Sequence, residues 1–311
     1  MTYLITGGTG NLARQLAGLL AADGARVVLF DRAEPPAGSV GQFVRGDVTR
    51  ADDLDDALRQ FQPRIVLHMA SMLSGSCEQD RAAGWGVNVT ATFHLFEALR
   101  RHGVQTLFFP SSLATYGNPA PDPLPPDHAQ WPDGIYGVTK VTCERLGHYY
   151  HRAHGLDFRC LRLPMVISRF APAGAASAYA SRAFVEAVST GRFTFRVNPS
   201  TACCTAYVQD VVAGIHRFIA APASRLSRRV YNIHALAPTA RELGEAIIAR
   251  LSPMDIRFDP DPAVVRLIES WPKHVVDDDA RHDWGWAPRY DLDALADHFI
   301  AELQREFAGR F

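Results

Sequence analysis

A chain of 311 residues is long enough for one large domain or two lobes around a sizeable buried core. Its 47% hydrophobic and 21% charged content is ordinary globular composition and excludes wholesale disorder. A net charge of −1 with no basic run argues against a nucleic-acid partner and against an anionic membrane surface.

In chain order, residues 3–6 read as a short apolar strand that runs into Gly7-Gly8-Thr9-Gly10. Residues 11–22 read as a helix with Leu12, Leu16, Leu19 and Leu20 on one face, ended by Gly24. A second apolar strand, 26–30, closes on Asp31, and a third, 42–46, closes on Asp47-Val48. An acidic helix over 51–60 precedes a strand over 65–69. Then come a helix over 85–102, a strand over 106–110, a helix over 136–154 and a strand over 157–163. Strands that are apolar throughout, alternating with helices, predict a parallel sheet covered on both faces. The fold class expected is therefore α/β, a Rossmann-type doubly wound sheet over residues 1–164. A smaller C-terminal substrate-binding lobe would occupy 165–311, with about 205–235 returning to the sheet. Past residue 239 the pattern gives two more helices and a Pro-rich stretch. The Pro-rich run 118–132 reads equally as a lid or a plain connector.

Gly7-x-x-Gly10-x-x-Ala13 joins a strand to a helix. Glycines at such a turn let the backbone approach a pyrophosphate, which the N–H groups opening the helix at Asn11 and Leu12 would then stabilise. Asp31 stands where a carboxylate can accept hydrogen bonds from adenosine ribose hydroxyls, which favours NAD. Arg32 beside it leaves NADP open, since a guanidinium can pair with a 2′-phosphate.

Lysine occurs only twice, at 140 and 273, among 32 basic residues. Lys140 follows Tyr136 by one helical turn, in Tyr-Gly-Val-Thr-Lys. A compact ammonium there can lower the phenol's pKa toward neutrality, which arginine's broad guanidinium does less well. A phenol tuned in that way is a general acid/base for a hydroxyl proton. Five cysteines (77, 143, 160, 203, 204) form no Cys-x-x-Cys pair, so neither a zinc site nor a disulfide framework is expected. No apolar stretch approaches the roughly 18 residues of a membrane span. With the first strand starting at Thr2, no signal peptide is expected, and the expected setting is cytoplasmic.

Taken together these pieces resemble the extended short-chain dehydrogenase/reductase family, also described as NAD-dependent epimerases/dehydratases. The resemblance is carried by Thr6 to Ala13, Asp31, Asp47-Val48, His68-Met69-Ala70, Asn88-Val89, Ser111 to Gly117, Tyr136 to Lys140 and Arg162-Leu163-Pro164. It implies an NAD-dependent dehydrogenase in which Tyr136 is the acid/base, Lys140 binds the nicotinamide ribose, and Ser112 orients the substrate oxygen. It further implies that Asp47 and Val48 contact the adenine, that Met69, Ala70 and Ser71 line the middle of the cofactor site, and that Pro164 and Ile167 pack near the nicotinamide. Asn88 would brace its helix within that site.

Within the family the chain resembles the short-chain L-threonine 3-dehydrogenase branch. Ala70 to Ser74, Tyr136 to Glu144, Val166 to Ser168 and Asp283-Trp284-Gly285-Trp286 carry that likeness. The substrate loop departs from the branch: Ala175-Ala176-Ser177-Ala178-Tyr179 stands where it has Gly-Thr-Thr-Asp-Tyr. This departure puts threonine in question and makes a small hydroxy or sugar acid equally fitting. Ser74, Ser177 and Tyr179, with Ser112 and Tyr136, are the expected substrate residues. Leu113 and Ala114 replace the acidic pair of the dehydratases. A nucleotide-sugar epimerase with tightly bound NAD, and a non-catalytic dinucleotide sensor, are the alternatives. His148, His151 and His154 lack converging ligands, so no metal is expected. Arg192 and Arg196 are candidates for a substrate anion. The expected partners are a small-molecule substrate and a second copy in a homodimer built on the helices over 85–102 and 136–154.

Overall fold

Apolar and β-branched runs form strands β1 (Thr2–Thr6), β2 (Arg26–Asp31), β3 (Gln42–Arg45), β4 (Ile65–His68), β5 (Thr106–Ser112) and β6 (Asp157–Leu163). Shorter strands follow: β7 (Met165–Ile167), β8 (Arg192–Phe195), β9 (Thr205–Tyr207), β10 (Val230–Asn232) and β11 (Asp255–Phe258). The structure is a computed structural model and describes residues 1–117, 120–170 and 178–308. Seven strands make one sheet in the order β10-β6-β5-β4-β1-β2-β3, with every neighbouring pair parallel. Strand order reverses between β1 and β4, the place where such sheets open a crevice at their carboxyl edge. Two small parallel pairs, β11-β8 and β7-β9, lie outside this sheet.

The helices are α1 (Asn11–Ala22), α2 (Ala51–Phe61), α3 (Ser74–Gln79), α4 (Arg81–Trp85), α5 (Ala91–His102) and α6 (Ile135–His154). They continue with α7 (Tyr179–Thr190), α8 (Val208–Ala220), α9 (Ala240–Leu251), α10 (Pro262–Glu269), α11 (Asp278–Trp284) and α12 (Leu292–Ala308). One face of the sheet packs on α2, α5 and α6 through Leu54, Leu58, Phe96, Leu99 and Tyr150. The other packs on α1 and α8 through Leu16, Leu20, Val211 and Ile215, and that core continues into α7, α9 and α12. Burying a side chain such as Phe96 contributes about 1.5–3 kcal/mol, so these two layers hold the sheet that positions the site.

Four expectations are corrected. The helix over 85–102 is α4, a π turn at Gly86–Thr90, and α5 in succession. Leu19 is 38% exposed, the buried stripe of α1 being Ala13, Leu16, Ala17 and Leu20. Residues 208–220, expected near the sheet, are a helix lying on it, and β10 alone joins it. The tail holds four helices rather than two. One of its prolines starts an element instead of breaking it: Asp261 caps α10 through Ala263 N, with Pro262 in the first turn, where a missing N–H costs nothing.

The described part of the Pro-rich run is tied down. Leu124 N donates to His274 O and Val276 N to Leu124 O, both at 2.9 Å. Asp122 faces His274 Nδ1 at 2.9 Å, and Arg228 holds Asp127 with two bonds. Among the described residues no helix is long and apolar enough to cross a membrane.

Candidate active site

The glycine turn after β1 must be tight because β4 lies against it. Gly7 has φ +64°, and a Cβ there would sit 2.6 Å from Ala70 N. At its far end the Asp31 carboxylate accepts from Thr9 N at 3.1 Å and Thr9 Oγ1 at 2.8 Å, and from Ala33 N at 3.2 Å. Asp31 therefore clamps the turn and keeps lone pairs spare for a ribose. Arg32 is turned to Asp47 at 3.6 Å, on the surface. Burial raises the Asp47 carboxyl, but bonds from Thr49 and the Arg32 charge outweigh it and hold it below the ordinary range.

From this turn a cavity of about 430 Å³ runs along the carboxyl edge of the sheet. Gly7, Gly10, Asn11 and Leu12 line one end, Met69 and Ser71 the middle, and Ser112, Tyr136, Lys140 and Pro164 the other. Ser74 lines it as well. Asp31, Arg32, Asp47 and Val48 stand outside its wall; the Val48 side chain is buried in the core, which leaves it only backbone to offer an adenine. The cradle a Cβ would fill, the carboxylate at the end of β2 and the length of the cavity all fit a dinucleotide.

Tyr136 is the second residue of α6 and Lys140 lies one turn on, which puts both on the cavity side. The Lys140 ammonium donates to Pro110 O at 2.9 Å, sits 4.6 Å over the Phe109 ring, and is 5.5 Å from the Tyr136 ring centre. Ser112 Oγ accepts from Ala114 N at 3.1 Å. The titration of this pair departs from expectation. Burial pushes the Tyr136 phenol well above its ordinary value, helped by the nearby Cys77 thiol, and a hydrogen bond with Ser112 pulls it part of the way back. Burial pushes the Lys140 ammonium down. Lys140 is not among the groups that lower the phenol, and its ammonium donates to the Pro110 carbonyl.

Three more residues differ from expectation. Asn88 is buried and clamps the 71–72 backbone: Oδ1 accepts from Met72 N at 2.7 Å, and Nδ2 donates to Met72 O at 3.0 Å and Thr139 Oγ1 at 3.2 Å. It positions the cavity's middle and does not line it. Ile167 is fully buried, and Met165 and Val166 line the cavity near Pro164 instead. Tyr179 is packed in the core edge-on to Phe195, its buried hydroxyl beside the Cys203 thiol. Burial then pushes that phenol far up, and it is absent from the cavity wall. Ser177, with Ala175 and Ala176, lies outside the described residues. Arg196 is paired with Asp259 and Asp261, and Arg192 is exposed on β8, away from the cavity. Among the described residues no group of three or more His, Cys, Asp and Glu could hold a metal.

Sequence reasoning missed most of the substrate end: Leu73, Leu113, Ala114, Met165, Cys203, Cys204 and Trp271. It also missed a buried polar frame. Glu144, one turn past Lys140, accepts from Ser111 Oγ at 2.5 Å and from Arg162 Nε at 3.0 Å and an Arg162 terminal nitrogen at 2.8 Å. Arg162 also bonds the Tyr116 hydroxyl and donates to Pro126 O at 2.9 Å. A buried ion pair of this kind fixes geometry more than it adds stability, and here it ties the end of β5, where Ser112 sits, to α6. A Glu four residues after a motif lysine was the available signal.

The family model described as NAD dependent epimerase/dehydratase family matches residues 3–233. The mitochondrial L-threonine 3-dehydrogenase of Bos taurus is 34% identical over 298 residues, covering 94% of this chain and 80% of that protein. Among solved structures, an L-threonine dehydrogenase from Clostridium difficile superposes with a TM-score of 0.92 at 28% identity, covering 98% of both chains. The GalE-like L-threonine dehydrogenase of Cupriavidus necator scores 0.92 in its holo form, at 28% identity over 97% of this chain and all of that one. Its apo form scores 0.80 at 27% identity, over 97% of this chain and 99% of that one.

Proposed function

The chain belongs to the NAD-dependent epimerase/dehydratase family, and from that premise we propose that it oxidises the secondary alcohol of a small polar substrate by Tyr/Lys/Ser acid–base catalysis. NAD is the cofactor, and when bound it supplies the hydride acceptor for the carbinol carbon. Gly7, Gly10, Asn11 and Leu12 would hold its pyrophosphate, Asp31 its adenosine ribose and Lys140 its nicotinamide ribose. Met69, Ala70 and Ser71 would flank its middle, with Pro164 beside the nicotinamide.

Ser112 orients the substrate hydroxyl and Tyr136 takes its proton at the phenol oxygen as the carbonyl forms. Lys140 favours the phenolate when both are charged, and the buried wall excludes bulk water. The observation that carries this reading is that Tyr136, Lys140 and Ser112 share one cavity wall with the glycine turn. The named relatives act on L-threonine, and the changed 175–179 loop favours a hydroxy acid. The face that exposes Trp85, Phe93, Val138 and Tyr149 on and beside α5 and α6 is where a second copy would pack into a homodimer.

The test is NADH formation from NAD by the purified protein over L-threonine, four- to six-carbon hydroxy acids and a UDP-hexose. Turnover of any of the small alcohols is expected. Silence throughout, with NAD bound, would instead favour an epimerase, whose cofactor is regenerated within each cycle.

A further inference from the structure

The charges on the cavity wall select among substrates. Among the described residues, Lys140 is the only ionised side chain that lines it. The nearby carboxylates are committed elsewhere: Glu144 to Ser111 and Arg162, Glu78 to Ile135 N, and Asp277 to His234 N and Arg281. The undescribed residues 118–119 and 171–177 contain no Asp, Glu, Lys or Arg, and 309–311 add only Arg310, so none of their side chains can bring a negative charge. Two thiols, Cys203 and Cys204, face the substrate end, and burial pushes the first up to about 12 and the second well above its ordinary value. Both stay neutral near pH 7, as does the Tyr136 phenol before reaction. Among the described residues the wall thus carries one positive charge and no negative one.

With its carbinol between Ser112 and Tyr136, a small substrate places its remaining groups among Ser74, Leu113, Ala114, Met165, Ala178 and Cys204. An ammonium there would be stripped of water with no counter-charge and would face Lys140, and a buried unpaired charge is expensive. A carboxylate would feel the Lys140 field favourably and can accept from the Ser74 hydroxyl, which makes no hydrogen bond within the described residues. Building on the dehydrogenase reading above, we infer that the substrate is a hydroxy acid anion carrying no ammonium, and that the site discriminates against α-amino acids. The reaction balances as loss of hydride from the carbinol carbon to NAD and of the hydroxyl proton to Tyr136, leaving a ketone.

The decisive pair is L-threonine and 2,3-dihydroxybutanoate, which differ only in ammonium against hydroxyl. All stereoisomers of the hydroxy acid are assayed by NADH formation, with butan-2-ol as the neutral control. The expected kcat/KM favours the best dihydroxybutanoate by roughly 100-fold, the scale of leaving one buried charge unpaired. Ala178→Asp, which places a carboxylate on the wall, should shift the ratio toward threonine by at least about tenfold. NAD affinity should be unchanged in that variant. Threonine turned over as well as the hydroxy acid, or butan-2-ol alone turned over, overturns the inference and leaves the dehydrogenase reading standing. No NADH from any alcohol overturns both.

Discussion

Burial raises the Tyr136 phenol and lowers the Lys140 ammonium, so the two titrations move past one another and apart. Alcohol oxidation needs the phenol deprotonated while the ammonium is still charged. Because the phenol then titrates above the ammonium, phenolate beside ammonium is a minor form, its fraction level between the two titrations and falling on either side. The profile expected is a broad alkaline plateau in kcat/KM, whose limbs belong to the pair rather than to either residue. Ser112→Ala removes the bond that pulls the phenol down, so the plateau should drop and its upper limb move to higher pH; an unmoved upper limb would take Ser112 out of the proton's path. At this scale the catalytic motif was legible because Tyr136, Lys140 and Ser112 lie in short local strings. Their titration was not, since it depends on how deeply the pair is buried. Tyr179 misled for the same reason: spacing marks a tyrosine but does not say whether its ring faces a cavity or Phe195.

The first turn of α6 is pressed against the 113–115 turn that follows β5, and Gly137 makes this approach possible. A Cβ at Gly137 would stand 2.1 Å from Ala114 O, a backbone atom that cannot swing away. Gly137→Ala should therefore push the neighbouring Tyr136 from Ser112. Because about 1 Å of misplacement can cost roughly 10²-fold in rate, kcat should fall by about that factor while NAD binding at the glycine turn persists. Unchanged kcat would show that the two turns are not coupled. Apart from α3 and α4, the strands and helices up to residue 163 were legible from continuous apolar runs and a 3.6-residue period. The π turn at Gly86–Thr90 left no such mark; it holds Asn88, whose side chain accepts from Met72 N. The tail's helices were hidden because Pro262 opens α10 where composition alone suggested a loop.

Across the whole molecule, the substrate end of the cavity gathers Ser74, Leu113, Met165, Cys204 and Trp271 from parts of the chain that nothing in the sequence links. The cofactor end is instead one continuous β1–turn–α1 unit, which is why it could be read and the substrate end could not. The exposed apolar face gives a prediction at this scale. Sedimentation should show a dimer that Tyr149→Glu, at a residue 57% exposed, converts to monomer with the fold kept; a monomeric wild type would refute the assembly.

The central claim is that Tyr136 moves the hydroxyl proton, and Tyr136→Phe tests it most directly because the ring stays and only the acid/base oxygen goes. Measured on the best alcohol from the panel, with NAD affinity followed separately, the variant should bind NAD like the wild type and form NADH about 10²–10⁴-fold more slowly. Near-wild-type turnover by the variant would contradict the account.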